Sequence, residues 1–435
     1  MEKKDIVVLA YSGGLDTSCC IKWLQEELNL DVVAVVGEVG QEHDEDLDEI
    51  RAKALRAGAI DCYVVDMRED YADNFLTKAI FANALYENKY PLLSALSRPV
   101  ICKYLVEVAH RYNAKYVAHG CTGKGNDQVR FENSIAMLDP SLTILAPVRD
   151  WEFNTRPQEM EWAAAHGVEV PTTQGSPYSV DDNMFGRAIE CGVLEDPWTE
   201  PPSDIYKITV DPQEAPDKPT YVEIGFSAGV PVKLDGEELS MVQMVEKMNV
   251  IAGGNGYGRL DMVENRLVGL KSREIYECPG ALVLIEAHKA LEDLCLEREV
   301  LHNKLELEQK WATQVYYGMW YSPLKEAIDA FMASTQLCVT GTVRVKFYKG
   351  SCTVVGRKSI YSLYNEALAT YGQDDSFNHQ AASGFIELNG LSARNWSANR
   401  RWAGAHTDID DAFANPQPLS LKPSVLEDST IETLG

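Results

Sequence analysis

The sequence runs to 435 residues, beyond the roughly 250–300 over which one hydrophobic core keeps growing, so at least two domains are expected. Apolar residues make up 45% and charged residues 24%, the balance of a soluble globular protein, and no apolar run approaches the roughly 18 residues of a membrane span. With 66 acidic against 40 basic side chains the formal charge is −26, which repels a nucleic-acid backbone, and no segregated basic patch offsets it.

The chain enters its first strand-like run, Ile6–Tyr11, directly from Met1–Asp5, leaving no room for a secretory signal, and a cytoplasmic location is expected. Further short apolar runs follow at Asp31–Val36, Cys62–Val65, Lys115–His119 and Thr143–Ala146. Being unbroken by polar alternation, they suit strands buried on both faces. Helical patterns lie between them. Thr17–Leu28 groups Cys20, Trp23, Leu24 and Leu28 on one face, Glu45–Ala57 stops at Gly58, and Pro99 is expected to open a helix carrying Cys102, Leu105, Val106 and Ala109. Strand–helix alternation of this kind predicts a parallel sheet covered on both sides, an α/β Rossmann-like nucleotide-binding domain over residues 1–170.

After about residue 170 prolines cluster at 197, 201, 202, 212, 216 and 219, and the texture becomes that of an α+β domain. Hairpins are predicted at Tyr221–Leu234 and at Thr342–Val355, the latter turning at Lys349-Gly350 with Val343, Val345 and Phe347 in alternation. One long helical pattern fills residues 281–310. The run Ala252–Gly258 fails the dinucleotide-loop spacing and reads as a turn leading to Glu264. Trp311, Tyr316, Tyr317, Trp320, Tyr321 and Phe331 read as core or subunit interface. From Thr407 the chain holds six acids, one lysine and three prolines, the composition of a disordered tail. The ten cysteines show no Cys-x-x-Cys pair, and no grouping has zinc spacing.

Chemistry concentrates in two strings. Ala10-Tyr11-Ser12-Gly13-Gly14-Leu15-Asp16-Thr17-Ser18 falls between a buried strand and the first turn of an amphipathic helix. Glycines there allow successive backbone N–H groups to converge on an anion, and the helix dipole and the hydroxyls of Ser12, Thr17 and Ser18 add attraction, which makes a phosphate cradle. Walker-A spacing is absent, so γ-phosphate chemistry loses its support. The second string, His119 to Glu132, follows the fourth strand and packs Thr122, Lys124, Asn126, Asp127 and Arg130 among three glycines at the sheet edge where ligands of open α/β folds bind.

The first string resembles the PP-loop, Ser-Gly-Gly-x-Asp-[Ser/Thr]-[Ser/Thr], of N-type ATP pyrophosphatases, which cut ATP between the α and β phosphates. Both strings together are similar to the argininosuccinate synthase family over roughly residues 5–395. That resemblance implies an AMP-forming ligase of the adenine nucleotide alpha hydrolase-like fold, joining citrulline to aspartate through citrullyl-AMP. It implies a synthetase/oligomerisation domain over 171–395, a C-terminal arm over 396–435 and a homotetramer. Matched residue by residue, Ala10, Tyr11, Ser12, Gly13, Gly14, Leu15, Asp16, Thr17, Ser18, Gly37 and Gly120 would contact ATP. Thr122, Asn126 and Asp127 would hold aspartate, and Tyr90, Ser94, Asn126, Arg130, Ser179, Glu264 and Tyr276 would hold citrulline. Ala95 and Ala188 stand where some members carry serines. Asp16 and Asp127 are the candidate catalytic carboxylates. Magnesium would arrive on ATP, held mainly by phosphates, with no ligand cage of protein side chains and no organic cofactor.

Two strings point the other way on spacing alone. Val263–Arg266 and Gly269–Tyr276 are charge runs of the kind that form solvated faces, and only the resemblance assigns Glu264 and Tyr276 to a site. Other PP-loop enzymes thiolate tRNA or amidate small acids. The tRNA type carries paired cysteines and a basic face, which this chain lacks, and a non-catalytic descendant would not need Asp16, Asn126, Asp127 and Arg130 intact.

Overall fold

The computed structural model describes residues 4–41, 46–153, 155–169, 176–372 and 374–402. The described residues up to Tyr364 pack as one compact unit and those from Asn365 onward as another.

Strands β1 (Ile6–Ala10), β2 (Asp31–Glu38), β3 (Asp61–Asp66), β4 (Tyr116–Ala118) and β5 (Thr143–Leu145) form a parallel sheet in the order β3-β2-β1-β4-β5. All five predicted strands are present, each end within two residues of its expected position. Alternate side chains of β1 serve opposite layers. Val7 and Leu9 pack with Ile21 and Leu24 of helix α1 (Leu15–Glu27) and Ile50 of α2 (Leu47–Arg56). Val8 packs with Leu105 of α3 (Leu93–Tyr112) and Phe131 and Ile135 of α4 (Asp127–Leu138). Burial on both faces is why these runs lack polar alternation. The expected start of α2 at Glu45 lies outside the described residues.

Pro99 does not open its helix. It lies inside α3, which begins six residues earlier from Leu92, a residue at φ +64°. The first turn carries Leu93, Ala95 and Leu96 into the core, and this burial holds the turn helical despite the hydrogen bond a proline cannot donate. Helix α5 (Arg156–Ala165) completes this half, with Pro157 in its first turn.

Nine further strands follow among the described residues: β6 (Ser179–Asn183), β7 (Gly186–Glu190), β8 (Thr220–Ser227), β9 (Val230–Leu234), β10 (Glu237–Glu238), β11 (Arg259–Asn265), β12 (Lys271–Glu277), β13 (Gly341–Tyr348) and β14 (Ser351–Lys358). They form two antiparallel sheets, β11-β12-β7-β6 and β10-β9-β8-β13-β14. Both expected hairpins lie in the second, with positive φ at Lys349 and Gly350 and with Val343, Val345 and Phe347 fully buried. Helices α6 (Met241–Gly254), α7 (Pro279–Cys295), α8 (Arg298–Tyr316) and α9 (Pro323–Thr335) pack around them, giving the α+β character read from the sequence.

The single helix expected over 281–310 is two. It breaks at Leu296-Glu297, where the Glu297 carboxylate accepts the free N–H groups of Glu299 and Val300 and so caps a new helix. Beyond Asn365 stand α10 (His379–Asn389) and α11 (Leu391–Trp402). Most of the expected arm over 396–435, with the tail from Thr407, lies outside the described residues. No helix among the described residues is long and apolar enough to cross a membrane.

Candidate active site

The sheet order fixes where a ligand can sit. From β1 the chain moves outward through β2 and β3, then returns to β4 on the other flank of β1. Loops leaving the carboxyl ends of β1 and β4 therefore diverge, and a crevice opens between them. The first string is the β1–α1 loop and the second follows β4.

Two adjacent glycines of the first loop are glycine for different reasons. Gly13 sits at φ +81°, and a Cβ there would lie 3.1 Å from Ile50 Cγ2, so the turn itself requires glycine. Gly14, the N-cap of α1, takes φ −74° and ψ 170°, open to any residue, and a Cβ would meet nothing nearer than Ser12 Oγ at 3.4 Å. Nothing in the fold itself requires glycine there. Around it Ser12 Oγ lies 3.2 Å from Thr17 Oγ1, and Ser18 Oγ donates to Gly14 O at 2.8 Å while pairing with the Tyr11 hydroxyl at 2.9 Å. Leu15 and Ser18 are buried, so they brace the loop from within. The two strings interlock: a Cβ on Gly120 would stand 2.9 Å from Thr17 Cγ2.

Two cavities of similar size fill the crevice. One, about 380 Å³, is lined by Ala10, Tyr11, Ser12, Thr17, Gly37, His119 and Gly120, with apolar walls from Val35, Ile101 and Phe131. The other, about 390 Å³, is lined by Tyr90, Ser94, Thr122, Asn126, Asp127, Arg130, Ser179, Glu264 and Tyr276, together with Arg98, Asp181, Ala188, Glu190, Arg266 and Glu274. Every residue assigned to an amino-acid pocket from the sequence thus lines one cavity, though Glu264 and Tyr276 lie on antiparallel strands while Thr122 and Asp127 lie on the loop and helix that follow β4 of the parallel sheet.

Side chains across this cavity hold one another. Asp127 takes Arg98 on Oδ2 at 2.7 Å and Arg130 on Oδ1 at 2.8 Å. Burial pushes its carboxyl up, but the two arginines outweigh burial and hold it below the ordinary value, ionised at neutral pH. Asn126 accepts from Leu267 N–H at 3.0 Å and donates to the Tyr316 hydroxyl at 2.9 Å, tying the second string to the β11–β12 hairpin and α8. The buried Glu264 carboxylate accepts from Tyr276 at 2.7 Å and Tyr316 at 2.6 Å. Beside it, burial and then Glu190 and Glu264 push the Glu274 carboxyl up to about 8, against the pull of Arg266.

Asp16 lies elsewhere. Its carboxylate faces a third cavity, about 490 Å³, and meets Arg156 at 2.5 Å rather than lining either of the two cavities above. Its neighbour Glu159 is 6% exposed. Burial, with the hydrogen bond to Asp16, raises the Glu159 carboxyl from 4.5 to about 7. The folded chain therefore keeps a proton over pH 4.5–7 that the unfolded chain has released, and stability falls as pH rises through that window. Glu159→Gln is expected to raise the melting temperature clearly at pH 8 and only slightly at pH 5, where the folded wild-type carboxyl is neutral and the penalty has barely begun; calorimetry at the two pH values checks this.

Comparison with known proteins bears on the whole chain. Family models for the Arginosuccinate synthase N-terminal HUP domain and C-terminal domain match residues 6–169 and 178–396. The argininosuccinate synthase of Geobacillus thermodenitrificans is 56% identical over 388 residues, 89% of this chain and 95% of that protein. The enzyme of the same name from Bacillus licheniformis is 56% identical over 394 residues, covering 91% and 97% of the two chains. That of Rubrobacter xylanophilus is 53% identical over 414 residues, covering 95% and 98%. This chain belongs to the argininosuccinate synthase family.

Within the argininosuccinate synthase family pattern, the two departures have unequal weight. Ala95 is buried and lines neither cavity, whereas its neighbour Ser94 does line one, so the missing hydroxyl at 95 falls outside the site. Ala188 lines the same cavity, paired in register with Tyr276 across β7 and β12. Several residues of this crevice escaped the sequence reading, Glu190, Arg266 and Glu274 among them. Tyr316 was assigned to core, and it is core, with its ring stacked 3.6 Å from Tyr86; its hydroxyl nonetheless bridges Asn126 and Glu264. Arg98 and Asp181 lie in segments with no glycine or motif to mark them. The usable signal was placement: Arg98 stands one turn beyond Ser94 on the same helix.

Proposed function

We propose that this chain joins L-citrulline to L-aspartate at the expense of ATP, releasing argininosuccinate, AMP and pyrophosphate, as an AMP-forming ligase of arginine biosynthesis. The observation that carries this is the meeting of two cavities, one against the β1–α1 loop and one built for amino acids. The second is lined by five carboxyl groups, Asp127, Asp181, Glu190, Glu264 and Glu274, and three guanidiniums, Arg98, Arg130 and Arg266. That donor set suits zwitterions: carboxylates take α-ammonium groups and an arginine forks onto a carboxylate.

In this reading adenosine occupies the apolar-walled cavity between Val35 and Phe131, and the phosphates pass over Gly14 to the N-terminus of α1. Citrulline is held by Arg130, Glu264, Tyr90, Ser94, Ser179 and Tyr276, and aspartate by Thr122, Asn126 and Asp127. The ureido oxygen attacks the α-phosphorus and pyrophosphate departs. Aspartate's ammonium releases a proton to solvent, the free amine attacks the citrullyl-AMP carbon, a C–N bond forms, and the C–O bond to AMP breaks. Asp127, kept ionised by two arginines, is a better anchor for aspartate's ammonium than a proton acceptor. Mg²⁺ would come on the triphosphate, held mainly by the phosphates, and would offset the charge of the leaving pyrophosphate.

We further place an ATP-binding domain at 1–170, a synthetase and multimerisation domain at 171–395 and a C-terminal arm at 396–435, in a cytoplasmic homotetramer. Helix α10 supports that assembly by exposing Phe385, Ile386 and Leu388, an apolar face that a second copy would cover. Light scattering is expected to give the mass of four chains. The activity is tested by following AMP and pyrophosphate with citrulline and aspartate supplied singly and together. Sustained release of both is expected only with both amino acids present. Release of either without citrulline, or none with both, would overturn the assignment.

A further inference from the structure

The two cavities share a wall, and the chemistry must happen there. An ureido oxygen held among Glu264, Tyr276 and Arg130 can reach an α-phosphorus held over the β1–α1 loop only where both cavities open onto the same side chains. The polar side chains common to the two linings are Ser12, Cys121, Asp127, Asp181 and Arg98. Arg98 is the one cation among them.

Its setting is that of a preorganised charge. The side chain is 14% exposed. Nε and Nη2 donate to Asp127 Oδ2 at 3.0 and 2.7 Å, Nη2 also meets Asp181 Oδ2 at 2.8 Å, and Nη1 donates to Ser97 Oγ at 2.9 Å. A guanidinium has five N–H donors, so these contacts leave one Nη1 hydrogen over. Arg98 is not the sole cation on Asp127, because Arg130 bonds its other oxygen. Without a cation between them and the nucleotide, Asp127 and Asp181 would repel the α-phosphate from this wall.

Resting on the ligase reading above, we propose that Arg98 is a catalytic residue of the adenylylation step, donating to a non-bridging oxygen of the α-phosphate as citrulline attacks. In that step the bond from ureido oxygen to α-phosphorus forms and the bond from α-phosphorus to the β-bridging oxygen breaks. The electron pair leaves with pyrophosphate, the positive charge comes to rest on the ureido carbon and its nitrogens, and no proton need move. Charge on the α-phosphate oxygens rises transiently. A fixed, nearly dry guanidinium opposes that rise without reorganising.

The test uses citrulline-dependent exchange of labelled pyrophosphate into ATP, without aspartate, in full-length wild type, Arg98→Lys and Arg98→Gln. Wild type must exchange; if it does not, the ligase reading fails and Arg98 is beside the point. Given wild-type exchange, Arg98→Gln is expected to lose on the order of 10²–10³-fold in exchange rate, the usual cost of one preorganised donor. ATP binding by equilibrium dialysis is expected to change less than about threefold, since the contact strengthens in the transition state. A second readout uses the two α-phosphorothioate diastereomers of ATP: the rate penalty for sulfur at one of the two positions, present in wild type, is expected to shrink in Arg98→Lys. Exchange retained within about tenfold in both variants, or a diastereomer ratio unchanged from wild type, overturns the proposal and leaves Arg98 a brace for Asp127.

Discussion

Gly14→Val is expected to abolish pyrophosphate and AMP release while leaving the fold standing. The backbone at Gly14 lies in a region open to valine, and its Cβ position is free of any neighbour closer than Ser12 Oγ at 3.4 Å. As an N-cap, valine is worse than glycine by roughly 1 kcal/mol, a loss of about 1–2 °C in melting temperature for a chain of this size. The same branched side chain fills the space through which phosphate oxygens would reach the N–H groups at the start of α1. Each such donor typically contributes 10²–10³-fold in rate, so losing access to them together is expected to cost at least about 10³-fold. Gly13→Val separates the two causes, since φ +81° and Ile50 Cγ2 at 3.1 Å make that change costly to the fold itself. The pair is checked by equilibrium dialysis of ATP beside a thermal melt. ATP affinity in Gly14→Val within tenfold of wild type would remove the loop from the phosphate site.

How far the sequence could be read depended on which physical signal each part carries. The parallel sheet was legible because strands buried on both faces show as unbroken apolar runs, and the phosphate loop because glycines and hydroxyls between such a run and a helix have few other uses. The inner wall of the amino-acid cavity was not legible. Along β11, Val263 is 50% exposed while Glu264 is 3% exposed, the inverse of the usual alternation, so hydropathy assigns Glu264 to solvent. The inversion exists because that face, which seats Met262 in the core, reaches a polar cavity at Glu264. Arg98 was invisible for a related reason: it is one of several charged residues on its helix and acquires meaning only through Asp127 and Asp181, 29 and 83 positions away in the chain. The site carboxylates thus divided, with Asp127 marked by its glycine-rich string and Asp181 by nothing at all. Asp16 was marked by its motif, yet its carboxylate turns toward Arg156 and a neighbouring cavity.

Glu264→Gln carries the second large expected effect, on citrulline rather than on ATP. Glu264 is buried, both of its oxygens are taken by tyrosine hydroxyls, and the Tyr316 hydroxyl that donates to it also accepts from Asn126. The tyrosines cannot easily turn away: Tyr276 stacks on Tyr90 at 4.4 Å, and Tyr316 on Tyr86 at 3.6 Å. Glutamine preserves the volume but removes the negative charge that an α-ammonium group would meet. Its NH₂ must also face one of two hydroxyls already oriented to donate. A hydrogen bond to a charged group is worth about 1.5–3 kcal/mol, so the citrulline KM is expected to rise by roughly 10–10²-fold. The KM for ATP should stay close to wild type, because no wall of the nucleotide cavity includes Glu264. If kcat holds while KM rises, the ammonium contact is the same in ground and transition states; a parallel fall in kcat would mean that Glu264 also aligns the ureido oxygen for attack. A citrulline KM within twofold of wild type would take Glu264 out of the citrulline site altogether. It would then stand as a buried polar brace, which the joined hydroxyls of Tyr276 and Tyr316 would by themselves explain.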